Sequence, residues 1–188
     1  MIGQNTYLMN RNKLLTMLRA YARRYPADRT TERFQSFVVA QPHCFERNCW
    51  RDGHVTASSL VLNEPRTHTL LTRHAKLRKW LQLGGHCDGD SNPLRVAQRE
   101  AMEESGLDVI PIMTEVFDLD VHEIPARCDE PIHYHYDVRF ALQINGSDEY
   151  RISRESLDLR WVLLDEVPKY NSEESILRMI DKIRVVAC

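Results

Sequence analysis

Apolar residues first recur at helical spacing over residues 12–24, where Leu14, Leu15, Met17, Leu18, Tyr21 and Ala22 share one side and arginines take the other. Pro26 ends that segment, and a second helix is expected over residues 30–39, closed by Gln41-Pro42. From His54 the period changes. HVTASSLVL and THTLLTR are short β-rich runs separated by NEPR, which predicts two strands joined by a hairpin-like turn. Further apolar or alternating runs cover residues 108–113, 115–121, 132–142 and 158–164. Among them lies a helix opening at Pro93, a favoured first helical residue, with Asn92 or Ser91 placed to cap it and Gly106 placed to end it. A last helix starts near Asn171-Ser172, with Glu174 in capping-box position, and turns Ile176, Leu177, Met179, Ile180 and Ile183 inward. Strands around one helix with another helix behind predict an α/β sandwich. Two helices precede it, and residues 42–52 are read as the linker.

Composition changes this picture little. At 188 residues, with 43% hydrophobic and 28% charged side chains, the chain can bury a proper core and wholesale disorder is excluded. Charge is unevenly spread. Residues 1–40 carry seven basic side chains against Asp28 and Glu32, a net of +5, which leaves −7 for the rest of the total of −2. A solvated helix face is preferred for this basic arm over contact with nucleic acid or a phosphorylated ligand. The five cysteines (Cys44, Cys49, Cys87, Cys128 and Cys188) include no CxxC pair, so they read as free thiols of a reducing cytosol. The N-terminus has no signal-peptide apolar core and no run is long enough to span a membrane, so the expected location is cytoplasmic. The amphipathic first helix can serve a homodimer as readily as its own core.

The chemistry concentrates in residues 84–107, GGHCDGDSNPLRVAQREAMEESGL, which hold five acids against two arginines. On a helical wheel with Ala97 at zero, Leu94 and Ala101 fall near about 60° and 40° and define the buried stripe. Glu104 falls at about −20°, inside that stripe, while Glu100 and Glu103 follow at about −60° and −120°. A carboxylate turned toward the interior is costly unless paired, and neighbouring like charges add repulsion. A divalent cation held by Glu100, Glu103 and Glu104 removes both penalties, and hard oxygen ligands favour Mg²⁺, Mn²⁺ or Ca²⁺. A solvated acidic helix does not explain Glu104. Nor does a calcium loop built on Asp88, Asp90 and Asn92, because Pro93 and Arg99 stand where that loop needs Gly and Glu.

Gly84-Gly85 followed by REAMEESGL at residues 99–107 resembles the signature of the Nudix hydrolases. KWLQLGGH resembles the strand leading into that signature, and ESLDLRWVLLDEV at residues 155–167 resembles the family's closing strand and turn. The likeness covers roughly residues 53–170. A narrower likeness is to bacterial members with GGHxDGD and a later HxHxDxRF segment, here His133 to Phe140. The resemblance implies an α/β/α sandwich with a mixed sheet over residues 46–188, behind a helical extension at residues 1–45. It implies hydrolysis of a diphosphate in a nucleoside diphosphate derivative, with Mg²⁺ (or Mn²⁺) on Glu100, Glu103 and Glu104. Glu103 and Glu100 take catalytic roles, and Arg99 holds the carboxylates in place. Gly84 and Gly85 shape the loop and Gly106 closes the helix. Two positions depart from the family pattern: Ser91 replaces the first signature glutamate, and Leu83 stands where a proline usually precedes the glycines.

The substrate expected is a small-molecule diphosphate. Arg73, Lys76, Arg78 and Lys79 form an acid-free basic stretch suited to phosphates, as does a solvated loop. In IHYHYDVRF, strand alternation puts His133, His135, Asp137 and Arg139 on one face, so that these histidines, Arg139 and the nearby His86 are candidate substrate contacts. A zinc site at His133-x-His135 is not expected, because no further ligand follows at metal-binding spacing. Asp118, Asp120 and His122 share a face that solvation accounts for. A non-hydrolytic ligand-binding or regulatory module on the same fold is the alternative, supported by Ser91 and opposed by the intact glutamate trio. An isopentenyl-diphosphate-isomerase-like activity ranks last, because those enzymes place a cysteine where Gly84 stands.

Overall fold

The N-terminal periodicity is realised as α1 (Ile2–Arg24) and α2 (Thr30–Ala40) in a computed structural model that describes residues 2–127 and 130–186, and of residues 2–10 the backbone. Helix α1 begins well before the apolar pattern does. Extending a helix past an established nucleus fixes one residue per added bond, so a polar N-terminal stretch can follow a packed one. Strands β1 (His54–Leu62), β2 (His68–His74), β3 (Trp80–Leu81) and β4 (Leu83–His86) precede α3 (Pro93–Ser105). Then come β5 (Val109–Pro111), β6 (Asp118–Ile124), β7 (His133–Ile144) and β8 (Ser156–Leu163), a short α4 (Val167–Tyr170) and α5 (Glu174–Val186). The class is α/β, with helices and a mixed eight-stranded sheet. Its order is β3-β2-β1-β7-β5, with β4 joined to β1, β6 to β7 and β8 to β2. Helix α4 follows a one-turn 3-10 segment at Leu164–Glu166, and both are too short for periodicity to reveal.

The chain divides into two compact units, Met1–Ala57 with Gly85–Val96 and Glu115–Arg139, and Ser58–Gly84 with Ala97–Thr114 and Phe140–Cys188. In the first, β6 and β7 run antiparallel with Asp118 opposite Arg139 and His122 opposite His135. Helix α2 covers Tyr136, whose ring stacks on Phe37 at 3.7 Å and meets the edge of Phe34 at 5.3 Å. The Arg33 guanidinium lies 4.3 Å from the Tyr134 ring centre. Helix α1 is tied to α2 where Arg11 donates to the carbonyls of Val38 and Val39.

The face expected to be solvated at Asp118, Asp120 and His122 is instead half closed. Asp118 is fully buried, and with Asp120 and Asp137 it surrounds Arg139, whose exposure is 2%. Arg139 donates to Asp137 at 2.8 Å and to Asp120 at 3.1 Å, and Thr56 donates to the other Asp137 oxygen at 3.0 Å. Burial opposes the Arg139 charge, but the three carboxylates outweigh it and raise its pKa. A substrate role expected for Arg139 therefore gives way to a structural one.

In the second unit β2 pairs antiparallel with β8 from His68 to His74 and with β3 at Thr72 and Arg73. Helix α5 buries Ile176, Met179, Ile180 and Ile183, the spacing of a one-sided helix. Asn171, just before it, donates to the Trp80 carbonyl at 2.8 Å.

Gly53 immediately precedes β1 with φ +102°, and a Cβ there would lie 2.1 Å from the Tyr134 carbonyl oxygen. Gly53→Ala is expected to cost about 1–3 kcal/mol through clash and strain. Gly146→Ala, at φ +111° with open space around it, carries the strain alone. A lower urea midpoint for the Gly53 variant than for the Gly146 variant is the expected result, and equal midpoints rule out the clash.

Candidate functional site

Helix α3 is set by its N-terminal turn. Asn92 caps it by accepting from the Arg95 N–H at 3.3 Å, and Asp90 accepts from the Asn92 N–H at 2.9 Å. Asp90 is also held by both arms of Arg95, at 2.7 and 2.8 Å. Asp88 is gripped in the same way by Arg47 at 2.9 Å. Both acids nearest Ser91 are thus engaged by arginines. Gly84 and Gly85 lie in strand β4, contrary to the expected loop, and the turn is made by Asp88 (φ 49°) and Gly89 (φ 85°). At the other end Gly106 takes φ +71° and donates to the Met102 carbonyl at 2.8 Å, a left-handed helix stop.

The glutamates of α3 differ sharply in environment. Glu104 is 6% exposed, Glu100 is half-buried and Glu103 is exposed. Arg99 donates to Glu100 at 2.7 Å and stands 4.0 Å from Glu103, bridging the two. Glu104 receives a backbone hydrogen bond from Gly84, yet its Oε2 is buried with no partner among the described residues. Burial, reinforced by Glu100 and Glu155, pushes the Glu104 carboxyl up to about 8. Burial also raises Glu100, with Arg99 opposing and Glu103 and Glu155 adding to the rise. An unmet buried acceptor costs about 1–3 kcal/mol, more when charged. A divalent cation fits this donor set, because it satisfies the orphan oxygen and neutralises the surrounding carboxylates. Glu155, immediately before β8, joins the group electrostatically although no local spacing announces it.

The candidate substrate contacts separate. Arg73, Lys76 and Arg78 are exposed, and Lys79 pairs with Glu173 at 2.7 Å. His86, His133 and His135 come together in the first unit, joined by His54 and His122. His54 lies at the start of β1, fully buried, with its ring centre 4.7 Å from that of His135 and 5.0 Å from that of His133. His86 is 5.1 Å from His54 and 5.2 Å from His135, and His122 is 5.5 Å from His135. Trp50 closes one side, 4.9 Å from His133. Burial drives the His54 pKa down to about 3 and lowers those of His135 and His86, so the interior rings are neutral imidazoles. His133 is placed by Nδ1–H donation to the Pro131 carbonyl at 2.7 Å, while both ring nitrogens of His54 are buried without a partner among the described residues. The expectation that nothing joins His133-x-His135 is corrected: His54, His133 and His135 each offer a nitrogen, all within 4.8 Å of one another. The third nitrogen comes from a distant strand, which sequence spacing cannot reveal.

Cys44 and Cys49 carry free thiols, Cys87 is buried, and Cys128 and Cys188 lie outside the described residues. Burial pushes Cys44 up to about 12, which keeps that thiol protonated and inert. No described helix is long and apolar enough to cross a membrane.

The family model of the NUDIX domain matches residues 53–182. No match is found among curated proteins. Among solved structures, an Ap4A hydrolase binary complex from C. elegans superposes with a TM-score of 0.56 at 15% identity, covering 70% of this chain and 96% of that one. A NUDIX family hydrolase from Clostridium perfringens gives 0.53 at 25% identity, over 71% of this chain and 97% of that one. The dihydroneopterin triphosphate pyrophosphohydrolase of E. coli gives 0.53 at 14% identity, over 68% and 92%.

Glu104 supplies a stability test. The folded chain holds its proton to about 8, against an ordinary 4.5, so between those values it binds more protons than the unfolded chain. Stability of the metal-free protein therefore falls as pH rises through that window. Glu104→Gln removes this contribution. The melting temperature of the variant relative to the unsubstituted protein is expected to climb from pH 5 to pH 8 in a chelator-containing buffer. A difference that stays flat or shrinks contradicts the buried-carboxyl account.

Proposed function

The chain belongs to the Nudix hydrolase family, and from that membership we propose a divalent-metal-dependent enzyme cleaving a diphosphate linkage in a nucleoside diphosphate derivative or related compound. The observation that carries this is the orphaned, buried Glu104 carboxylate on one helix with Glu100 and Glu103. Glu100, Glu103 and Glu104 are the ligands of Mg²⁺, or of Mn²⁺ in its place. When bound, such an ion screens the phosphate oxygens and acidifies water.

The remaining work falls to this chain's own side chains. Arg99 is a positioning residue: its contacts at 2.7 and 4.0 Å hold Glu100 and Glu103 on one edge of α3. Gly84 holds Glu104 through its backbone N–H. Proton transfer from the attacking water falls to a glutamate of this trio, Glu103 and Glu100 being the catalytic candidates. Exposed Arg73, Lys76 and Arg78 supply cationic attraction for a small polyanion. We assign residues 1–45 as a helical extension, residues 46–188 as the catalytic domain, and the cytoplasm as the site of action. Ser91, in place of the first signature glutamate, favours one second reading, a non-hydrolytic binding module that keeps the fold.

A panel of dinucleoside polyphosphates including Ap4A, ADP-ribose, nucleotide sugars, coenzyme A and nucleoside triphosphates, each with Mg²⁺ and with Mn²⁺, tests the proposal. Metal-dependent release of phosphate or nucleoside monophosphate is expected, and Glu100→Gln, Glu103→Gln and Glu104→Gln should each lower kcat/KM by at least about 100-fold. Tight metal-independent binding without turnover would select the binding module. Metal affinity unchanged in all three variants would overturn the assigned ligands.

A further inference from the structure

We propose that His54, His133 and His135 bind a zinc-class transition-metal dication at a site separate in chemistry from the glutamate trio. Each residue presents one ring nitrogen, and the three nitrogens lie within 4.8 Å of one another. Tetrahedral coordination at zinc-to-nitrogen distances brings such atoms to about 3.3 Å, so binding requires the rings to draw in modestly.

Each ring carries a separate mark of a ligand. His54 is fully buried with neither nitrogen partnered, a state the molecule relieves on binding a cation at one of them. His133 gives its Nδ1–H to the Pro131 carbonyl, which can only accept. Its Nε2 is therefore the nitrogen it presents to an ion, the arrangement by which metal-binding histidines are oriented. His135 completes a near-equilateral triangle, its ring centre 4.7 Å from that of His54 and 5.2 Å from that of His133, at the β7 position facing His122, whose Nδ1 is 2.9 Å from Asp120. Three imidazole nitrogens form a set that suits zinc, copper, iron or nickel and leaves Mg²⁺ without the oxygens it requires. Three ligands also leave a fourth tetrahedral position, and His86 is the adjacent imidazole, with ring centres 5.1 Å from His54 and 5.2 Å from His135.

The backbone serves the same end. Gly53 allows β1 to start hard against the Tyr134 carbonyl, which sets His54 beside the two histidines flanking Tyr134. A bound ion therefore joins the start of β1 to the start of β7, and metal affinity adds directly to stability within this unit.

The test uses the tag-free full chain, stripped with chelator, dialysed against Zn²⁺ and analysed for metal content. One equivalent of Zn²⁺ is expected to remain, and Co²⁺ added to the stripped protein should give the intense visible bands of tetrahedral coordination. His135→Gln should weaken Zn²⁺ binding by more than about tenfold, whereas Glu104→Gln should leave it unchanged. X-ray absorption at the zinc edge of the unsubstituted chain needs no variant to fold and should report at least three imidazole ligands. No retained metal, a shell of oxygen only, or undiminished binding in His135→Gln would overturn the proposal. Failure of the diphosphatase assays leaves these readouts untouched, so the two proposals fall separately.

Discussion

A polar side chain taken out of water must find partners within the protein, and that requirement orders the functional parts of this molecule. Arg139, Glu104 and His54 are all buried, and they differ in how far the requirement is met. Arg139 meets it fully. Three aspartates surround one guanidinium, and β6 and β7 deliver them through ordinary antiparallel register. A cation so enclosed has little capacity left for a substrate, and removing any single acid would strand the rest. Glu104 meets the requirement by half, with one backbone donor and one bare oxygen. His54 does not meet it, since neither ring nitrogen has a partner.

That ordering separates structural from ligand-binding polar groups without reference to motif. A satisfied network rigidifies the fold, whereas an unsatisfied buried group is a standing cost that selection removes unless something binds there. The glutamate helix shows how the cost is contained. Arg99 offsets part of the repulsion between Glu100 and Glu103 at the exposed edge, where screening already weakens it. Glu104 has no such cation and answers burial by holding its proton to about 8. A cation bound at the proposed trio would have to displace that proton, so the trio's affinity for it would rise with pH.

Much of this was legible in the sequence. The helical period locates α2, α3 and α5, and a wheel drawn on Ala97 places Glu104 among apolar neighbours. Strand alternation likewise put His133, His135, Asp137 and Arg139 on one face. What alternation cannot supply is whatever lies opposite that face. The aspartates of β6 answer Arg139 across a strand pair, so a side chain read as facing a ligand proved to be internal. Similarly, Glu155 and His54 reach their clusters through pairings remote in sequence. Gly84 and Gly85 misled for a local reason: glycine permits a turn without requiring one, and here the left-handed residues are Asp88 and Gly89.

The two ligand sets also differ in what they exclude. Carboxylate oxygens accept hard cations and, at sufficient concentration, transition metals as well, because affinity for a given site generally rises along the first-row divalent series up to copper. Imidazole nitrogens are more selective, since Mg²⁺ gives up its water reluctantly and gains little from nitrogen. On the proposed assignments, a transition metal would occupy His54, His133 and His135 first, and the glutamates would be left to abundant Mg²⁺ so long as the free transition-metal concentration stays low. In that proposal the histidine set would hold its dication by affinity, and the glutamate set would take its ion by abundance. That asymmetry follows from donor chemistry alone, and it would let a metal staple the first unit while the glutamate helix exchanged its own.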